Sequence, residues 1–275
     1  MSLQSPDSNL LERLLIHLKV GNRKPSQKAL AELVAAFVTR VPFENVSKLY
    51  YMKHHNLRRL PNLEQLIEGI ERYNFGGTCY SNNYCLHLLL AHLGYDVMLC
   101  GADMENPDVH LVNMVSLEGR EFIIDAGYAA PFLEPLSRDL KQDYVIALGR
   151  DRYVLKPKDR NGNSRLELYR DGHHKHGYMA KPVPRQIEYF ARVIEDSYCD
   201  SSTFMNALLL VRFFPDRSLV IHNLSVIESQ GMDYHIHQLR DRDELPKVVE
   251  KYFSIPREIV SEAIAELGEF GDAWS

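Results

Sequence analysis

Residues 73–95 read YNFGGTCYSNNYCLHLLLAHLGY. Two glycines lead into Cys79, and an apolar helical pattern starts directly behind it. Gly76 and Gly77 permit a tight backbone that approaches its neighbours closely. Cys79 then falls in the first turn of a helix, at the positive end of the helix dipole, where a thiolate is favoured. A free cysteine is more often a small buried hydrophobe. Cys85 in mid-helix, Cys100 at the end of an apolar strand and Cys199 near a loop fit that plainer role. Cys79 alone has the setting of a reactive thiol.

A nucleophilic cysteine needs a base, and the base needs a group to orient it. Residues 110–128, HLVNMVSLEGREFIIDAGY, supply both. They read as a hairpin with its turn at Glu118 and Gly119. A turn centred there sets Asp125 opposite Val112 and His110 opposite Gly127, so His110 and Asp125 become a diagonal pair on one face. The imidazole can then take the Cys79 proton while Asp125 holds its other nitrogen. A register shift of one residue would put the two on opposite faces. The bland alternative is a solvent-facing histidine and a turn-capping aspartate, but a carboxylate closing the apolar run FIID calls for a stronger reason.

Around this hairpin the chain of 275 residues falls into three parts. The first is helical. Leucines 10, 11, 14, 15 and 18 form one face, with Gly21 as the expected stop. Leu30, Leu33, Val34 and Phe37 form another behind the candidate N-cap Ser26, and Leu63, Leu66, Ile67 and Ile70 a third. The middle part holds short β-rich runs bounded by Gly, Asp and Asn, such as YDVMLCGAD and SRLELYRD, which read as an antiparallel sheet or small barrel. A polar loop is expected around DGHHKHGY. The last part reads as two strands about a turn at Pro215 and Asp216, then helices in DELPKVVEKYF and IPREIVSEAIAELGEF. The order gives an α+β class.

Composition narrows the possible partners. The chain is 45% hydrophobic and 25% charged, with a net charge of −5. Neither nucleic acid nor an anionic membrane is expected as a main partner. MSLQSPDSNL lacks the basic and apolar regions of a secretory signal, and no run is long enough to span a bilayer. Four cysteines without a CxxC pair fit free thiols in the cytoplasm. His173, His174 and His176 lack a separated partner at metal spacing, so no metal is expected. No phosphate-binding glycine loop is present, and the single tryptophan, Trp274, stands next to the end, where it either packs back or frays.

The chain resembles the arylamine N-acetyltransferases, through VPFEN at 41–45, GGTCYSNN at 76–83, HLVNMV at 110–115, IIDAGY at 123–128 and, more weakly, SSTFMN at 201–206. The resemblance implies a helical domain over 1–92 carrying the nucleophile, a β-barrel over 93–192 carrying the histidine and aspartate, and an α/β lid over 193–275, with a core like that of cysteine proteases and transglutaminases. It implies a Cys79, His110, Asp125 triad. The implied reaction is ping-pong transfer of acetyl from acetyl-CoA, through a cysteine thioester, to an arylamine, hydrazine or N-hydroxyarylamine. Tyr80, Tyr128 and Phe204 match residues that line the acceptor pocket, and Gly127 matches the glycine after the aspartate. The family's Arg before the glycine pair and Glu two residues after the cysteine are Phe75 and Ser81 here, and Thr78 and Ala129 stand where an aromatic and a glycine are usual. Losing both members of an Arg/Glu pair leaves no lone buried charge. Rival readings are an amide synthase of the same fold, a transglutaminase-like cysteine hydrolase, and a non-catalytic binder that would have no need of all three triad residues.

Overall fold

A computed structural model describes residues 6–271; residues 1–5 of the N-terminal stretch, and Trp274, lie outside the described residues. The first part runs through α1 (Pro6–Leu18), α2 (Gln27–Arg40), the two-residue strand β1 (Phe43–Glu44), α3 (Val46–His55), α4 (Leu63–Tyr73) and α5 (Cys79–His92). The apolar stripes read from the sequence face inward. Leu14, Leu15 and Leu18 of α1 are buried with Leu30, Leu33 and Phe37 of α2 and Leu66, Ile67 and Ile70 of α4. Ser26 caps α2, accepting the Ala29 N–H at 3.2 Å. Asn62 and Gln65 form a reciprocal cap on α4, satisfying two backbone donors that the helix itself cannot. The chain leaves α1 at Lys19, in the left-handed conformation (φ 55°), two residues before the stop expected at Gly21. α3 has no counterpart among the helices expected above.

The second part is one antiparallel sheet: β2 (Asp96–Asp103), β3 (His110–Leu117), β4 (Arg120–Ile124), β5 (Leu136–Ser137), β6 (Tyr144–Leu148), β7 (Asp151–Leu155), β8 (Ser164–Arg170) and β9 (His173–Pro184), in the order β5-β4-β3-β2-β9-β8-β7-β6. The expected barrel is thus a curled half-barrel, with β5 and β6 as its two edges. Its concave side is filled by residues such as Val112, Ile123, Tyr128, Phe132, Tyr153 and Leu166. The β3–β4 hairpin has the anticipated register, with Asn113 opposite Ile124 and Leu117 opposite Arg120. Glu118 and Gly119 both have positive φ (54° and 74°), as a two-residue turn joining twisted strands requires. The histidine segment expected as a loop is instead the start of β9, paired with β8 after a tight turn at Asp171 and Gly172.

The third part comprises α6 (Ala191–Asp196), α7 (Thr203–Asn206), β10 (Leu209–Phe213), β11 (Arg217–His222), β12 (Ser225–Gln230), β13 (Asp233–Gln238), α8 (Leu245–Phe253) and α9 (Arg257–Ala265). The expected pair β10 and β11 is extended by two further strands into a sheet of order β1-β10-β11-β12-β13. β1, from the first part of the chain, is therefore an edge of this sheet. Phe43 pairs with Val211 on one side and bridges Gly77 on the other, so the sheet is tied directly to the turn in front of Cys79. No helix among the described residues is long and apolar enough to cross a membrane.

That turn depends on close approach. A Cβ at Gly76 would collide with the Pro42 carbonyl, whereas one at Gly21 would meet nothing nearer than 4.0 Å. Gly76→Ala is expected to destabilise the protein by about 1–3 kcal/mol in denaturant unfolding, and Gly21→Ala to stay within about 0.5 kcal/mol of the parent.

Candidate active site

Cys79 is the first residue of α5, behind an extended N-cap, Thr78, whose side chain makes no capping bond. The thiol is half-buried, with its sulfur 3.9 Å from the Val109 carbonyl. The next residue, His110, opens β3 and is 2% exposed. Its Nε2 lies 2.9 Å from Asp125 Oδ2, just past the end of β4. The diagonal pair inferred from the hairpin register is thus present, and Cys79 comes up to it from the helix.

Asp125 has no exposed side-chain surface. Beside the histidine, its Oδ1 accepts the Asn83 amide at 2.8 Å and the Gly127 N–H at 2.9 Å. Burial alone would raise the pKa of this carboxyl, but the neighbouring imidazolium and these donors hold it below the usual range. Burial likewise works against the charged ring of His110. The Asp125 charge and hydrogen bond outweigh it and, with Cys79 contributing, push the ring up to about 10. Tyr178 packs against the ring with centroids 4.9 Å apart, and Tyr128 edge-on at 5.6 Å. The Tyr128 hydroxyl is hydrogen-bonded to His176 Nδ1 at 2.7 Å. Burial pulls His176 down to about 4, so the ring stays neutral.

Asn83 went unnoticed as a site residue in the sequence, although it stands four residues after Cys79 and so on the same helical face. Its Nδ2 donates to Asp125 and to the Leu111 carbonyl (2.7 Å), and its Oδ1 accepts the Ala126 N–H (2.8 Å). One side chain joins the helix of the cysteine to both strands of the hairpin. Gly127 fits against this junction. A Cβ there would sit 2.6 Å from the Cys79 Cα and 2.6 Å from the Asn83 amide, so its lack of a side chain lets the aspartate loop reach the cysteine. Glu44 is a second unanticipated polar residue. It is fully buried and accepts the N–H groups of Gly76 (3.0 Å) and Ser47 (2.8 Å), bracing the glycine turn.

The aromatic residues singled out for the acceptor pocket lie in three separate packing clusters. Phe204 meets Phe43 edge-on at 5.5 Å, next to the glycine turn. Tyr80 is buried against Phe190, its hydroxyl donating to the Asp108 carbonyl. Tyr128 lines the half-barrel beside His110. Phe75 is buried within a cluster of Tyr50, Tyr51 and Tyr73, whereas Ser81 borders a recess on α3. His173 and His174 are exposed on β9, and no group of metal-ligating residues occurs among the described residues.

The chain matches the profile of the N-acetyltransferase family over residues 27–260. It belongs to the arylamine N-acetyltransferase family. An arylamine N-acetyltransferase of Gallus gallus, pineal gland isozyme NAT-3, is 26% identical over 265 residues, covering 84% of this chain and 88% of that one. The proansamycin X synthase of Amycolatopsis mediterranei is 40% identical over 70 residues, covering 22% of this chain and about a quarter (27%) of the synthase. The solved arylamine N-acetyltransferase of Mycobacterium abscessus superimposes with a TM-score of 0.77 at 18% identity, covering 96% of this chain and 99% of that one, so the fold is shared. Family membership supports an acetyltransferase activity for this protein.

Two outcomes follow from the geometry. Asn83→Ala strips a donor from a buried carboxylate, and is expected to cost about 1–3 kcal/mol in denaturant unfolding. His110 titrates higher in the folded protein than at its ordinary value of 6.5, so its stabilising contribution is complete below that pH and disappears as pH rises toward about 10. The unfolding free energy should therefore decline across this window, and Asp125→Asn should flatten the decline; equal slopes in the two proteins would disconnect the pair from stability.

Proposed function

We propose that the protein is an acetyl-CoA-dependent N-acetyltransferase. It passes acetyl through a thioester on Cys79 to a small aromatic amine, hydrazine or N-hydroxyarylamine. The observation that carries this reading is the buried His110–Asp125 pair, at 2.9 Å, placed against a cysteine at the start of a helix. His110, held positive by Asp125, supplies the countercharge for a Cys79 thiolate. The thiolate attacks the acetyl carbonyl, the bond from that carbon to the CoA sulfur breaks, and His110 returns the proton to the departing sulfur. In the second half-reaction the amine nitrogen attacks the thioester. His110 takes the amine proton, the C–S bond breaks, and the Cys79 thiolate is restored. Asp125 stays ionised throughout and orients the ring, and its hydrogen bonds to Asn83 and Gly127 keep it from turning away. Tyr80, Gly127, Tyr128 and Phe204 are proposed to shape the approach to the sulfur. The unpaired thiols support a cytoplasmic setting.

The other cysteines lack this chemistry. Burial pushes Cys85 up to about 12 and Cys100 up to about 11, and Cys199 is exposed between α6 and α7. A second reading, an amide synthase acting on a larger acyl chain, draws on the match to proansamycin X synthase.

Intact mass spectrometry after mixing with acetyl-CoA should show a gain of about 42 Da, one acetyl group, on Cys79. Asp125→Asn should slow that acylation by up to about 10⁴-fold while leaving the protein folded. An adduct on another cysteine, or an Asp125→Asn rate within a few-fold of the parent, overturns the assignment. An acyl-enzyme that forms but yields nothing with a panel of arylamines and hydrazines favours the synthase reading. One that decays rapidly in water alone favours a hydrolase.

A further inference from the structure

Acyl transfer as described makes no use of His176, although it adjoins the rings that surround the base. It lies on β9 opposite Leu168, and Tyr178 lies opposite Leu166. Both leucines fill the concave side of the half-barrel, so His176 and Tyr178, two residues apart on one strand, turn inward with them. Gly177 between them permits the close approach of the two strands: a Cβ there would sit 2.2 Å from the Leu166 carbonyl oxygen. His173 and His174, at the other end of the run, stay exposed.

His176 reaches Tyr128, 48 residues away in the chain, whose hydroxyl is 2.7 Å from Nδ1. Tyr128 is only 8% exposed, and a phenol buried this far needs a hydrogen-bond partner. The Tyr128 ring meets His110 edge-on at 5.6 Å and Tyr178 edge-on at 5.1 Å, and Tyr178 covers the His110 ring at 4.9 Å. Asp125 holds one nitrogen of His110 at 2.9 Å. A single hydrogen bond leaves a ring free to rock about it, and the two tyrosine rings take up that freedom. Tyr128 also follows Gly127, whose N–H bonds Asp125 and whose Cα packs against Cys79. The ring is therefore tied by the backbone to the aspartate loop and by its hydroxyl to β9. Burial keeps His176 neutral, so it adds no second charge beside the His110 imidazolium.

We propose that His176 is a positioning residue of the transfer centre: through the Tyr128 hydroxyl it fixes the ring that keeps the His110 imidazole oriented between Asp125 and Cys79. The proposal rests on those three residues forming the centre. His176 acts through Tyr128 and not on a reacting atom. Without the anchor the Tyr128 ring pivots, the imidazole samples several orientations, and the share of molecules with His110 set against the sulfur falls. The acylation step then slows, while the binding of acetyl-CoA does not change.

The test measures single-turnover acylation of Cys79 by acetyl-CoA, and iodoacetamide labelling of Cys79 against pH. It uses the parent, His176→Phe, His176→Asn, Tyr128→Phe and the double variant Tyr128→Phe/His176→Phe. His176→Phe keeps a ring but removes the bond. Its acylation rate at saturating acetyl-CoA should fall about tenfold, as for one lost buried hydrogen bond, with half-saturation unchanged. Its labelling profile should move to higher pH, because a loosely held His110 stabilises the thiolate less. Asparagine places its amide where Nδ1 lies, so His176→Asn should keep most of both properties. Once the Tyr128 hydroxyl is gone His176 has nothing to anchor, so the double variant should match Tyr128→Phe alone.

A His176→Phe rate within about twofold of the parent, or effects of the two substitutions that simply multiply, overturns the proposal. So does a lowered melting temperature with an unmoved labelling profile, the signature of a structural role only. If His176→Phe does not fold, Tyr128→Phe and Tyr128→Phe/His176→Asn decide: profiles that coincide and are displaced from the parent support the anchor, and profiles that coincide with the parent overturn it. If Cys79 accepts no acyl group at all, the acetyltransferase reading fails, and the labelling profiles still decide the role of His176.

Discussion

A carboxylate with no exposed surface needs every one of its bonds supplied by the protein. Asp125 is such a group, and meeting that need holds the molecule together at its centre. The donors come from three places: the His110 ring on β3, the Asn83 amide on α5, and the backbone of its own loop at Gly127. Helix and sheet cannot separate without stripping the Asn83 donor from a buried carboxylate. The interactions that fix Asp125 also place His110 and bring Cys79 to it, so one constraint serves both stability and chemistry.

Close backbone contacts complete the arrangement. Gly127 lets the aspartate loop touch the first turn of α5, and Gly76 lets the preceding turn pass under the Pro42 carbonyl. Glu44 holds that turn by the Gly76 N–H, and β1, to which it belongs, is also the first strand of the five-stranded sheet. Asn45, next in the chain, bonds the carbonyls of Phe204 and Ala207 and accepts the Leu209 N–H. A single short segment, residues 43–45, thus links the nucleophile turn to the last third of the chain.

Much of this was legible in one dimension. α1, α2 and α4 each bury a single stripe, and a stripe leaves a clear period. The β3–β4 register followed from a turn whose two residues both take positive φ. α3 was missed because it is covered on several sides: Val46, Ser47, Lys48, Leu49 and Tyr51 are all buried, so no polar face marks it as amphipathic. β13 is exposed at all six positions and joins its sheet through backbone bonds, which carry no side-chain pattern. The histidine run looked like a loop for the related reason that the start of β9 is solvent-facing.

The sequence by itself determined the local facts: a cysteine at a helix start behind two glycines, and a histidine and aspartate on one face of a hairpin. These depend on spacing within a few residues, where bond geometry leaves little choice. Tertiary structure alone decided the rest. Lys48 meets Ser197 across 149 residues of chain, and Asn45 meets Phe204 across 159. Phe75 and Ser81, close in sequence, enter different surroundings, a buried aromatic cluster and the wall of a recess beside Lys48. Whether a charge is buried, and what faces it there, depends on which distant segments pack around it, and spacing along the chain does not record that.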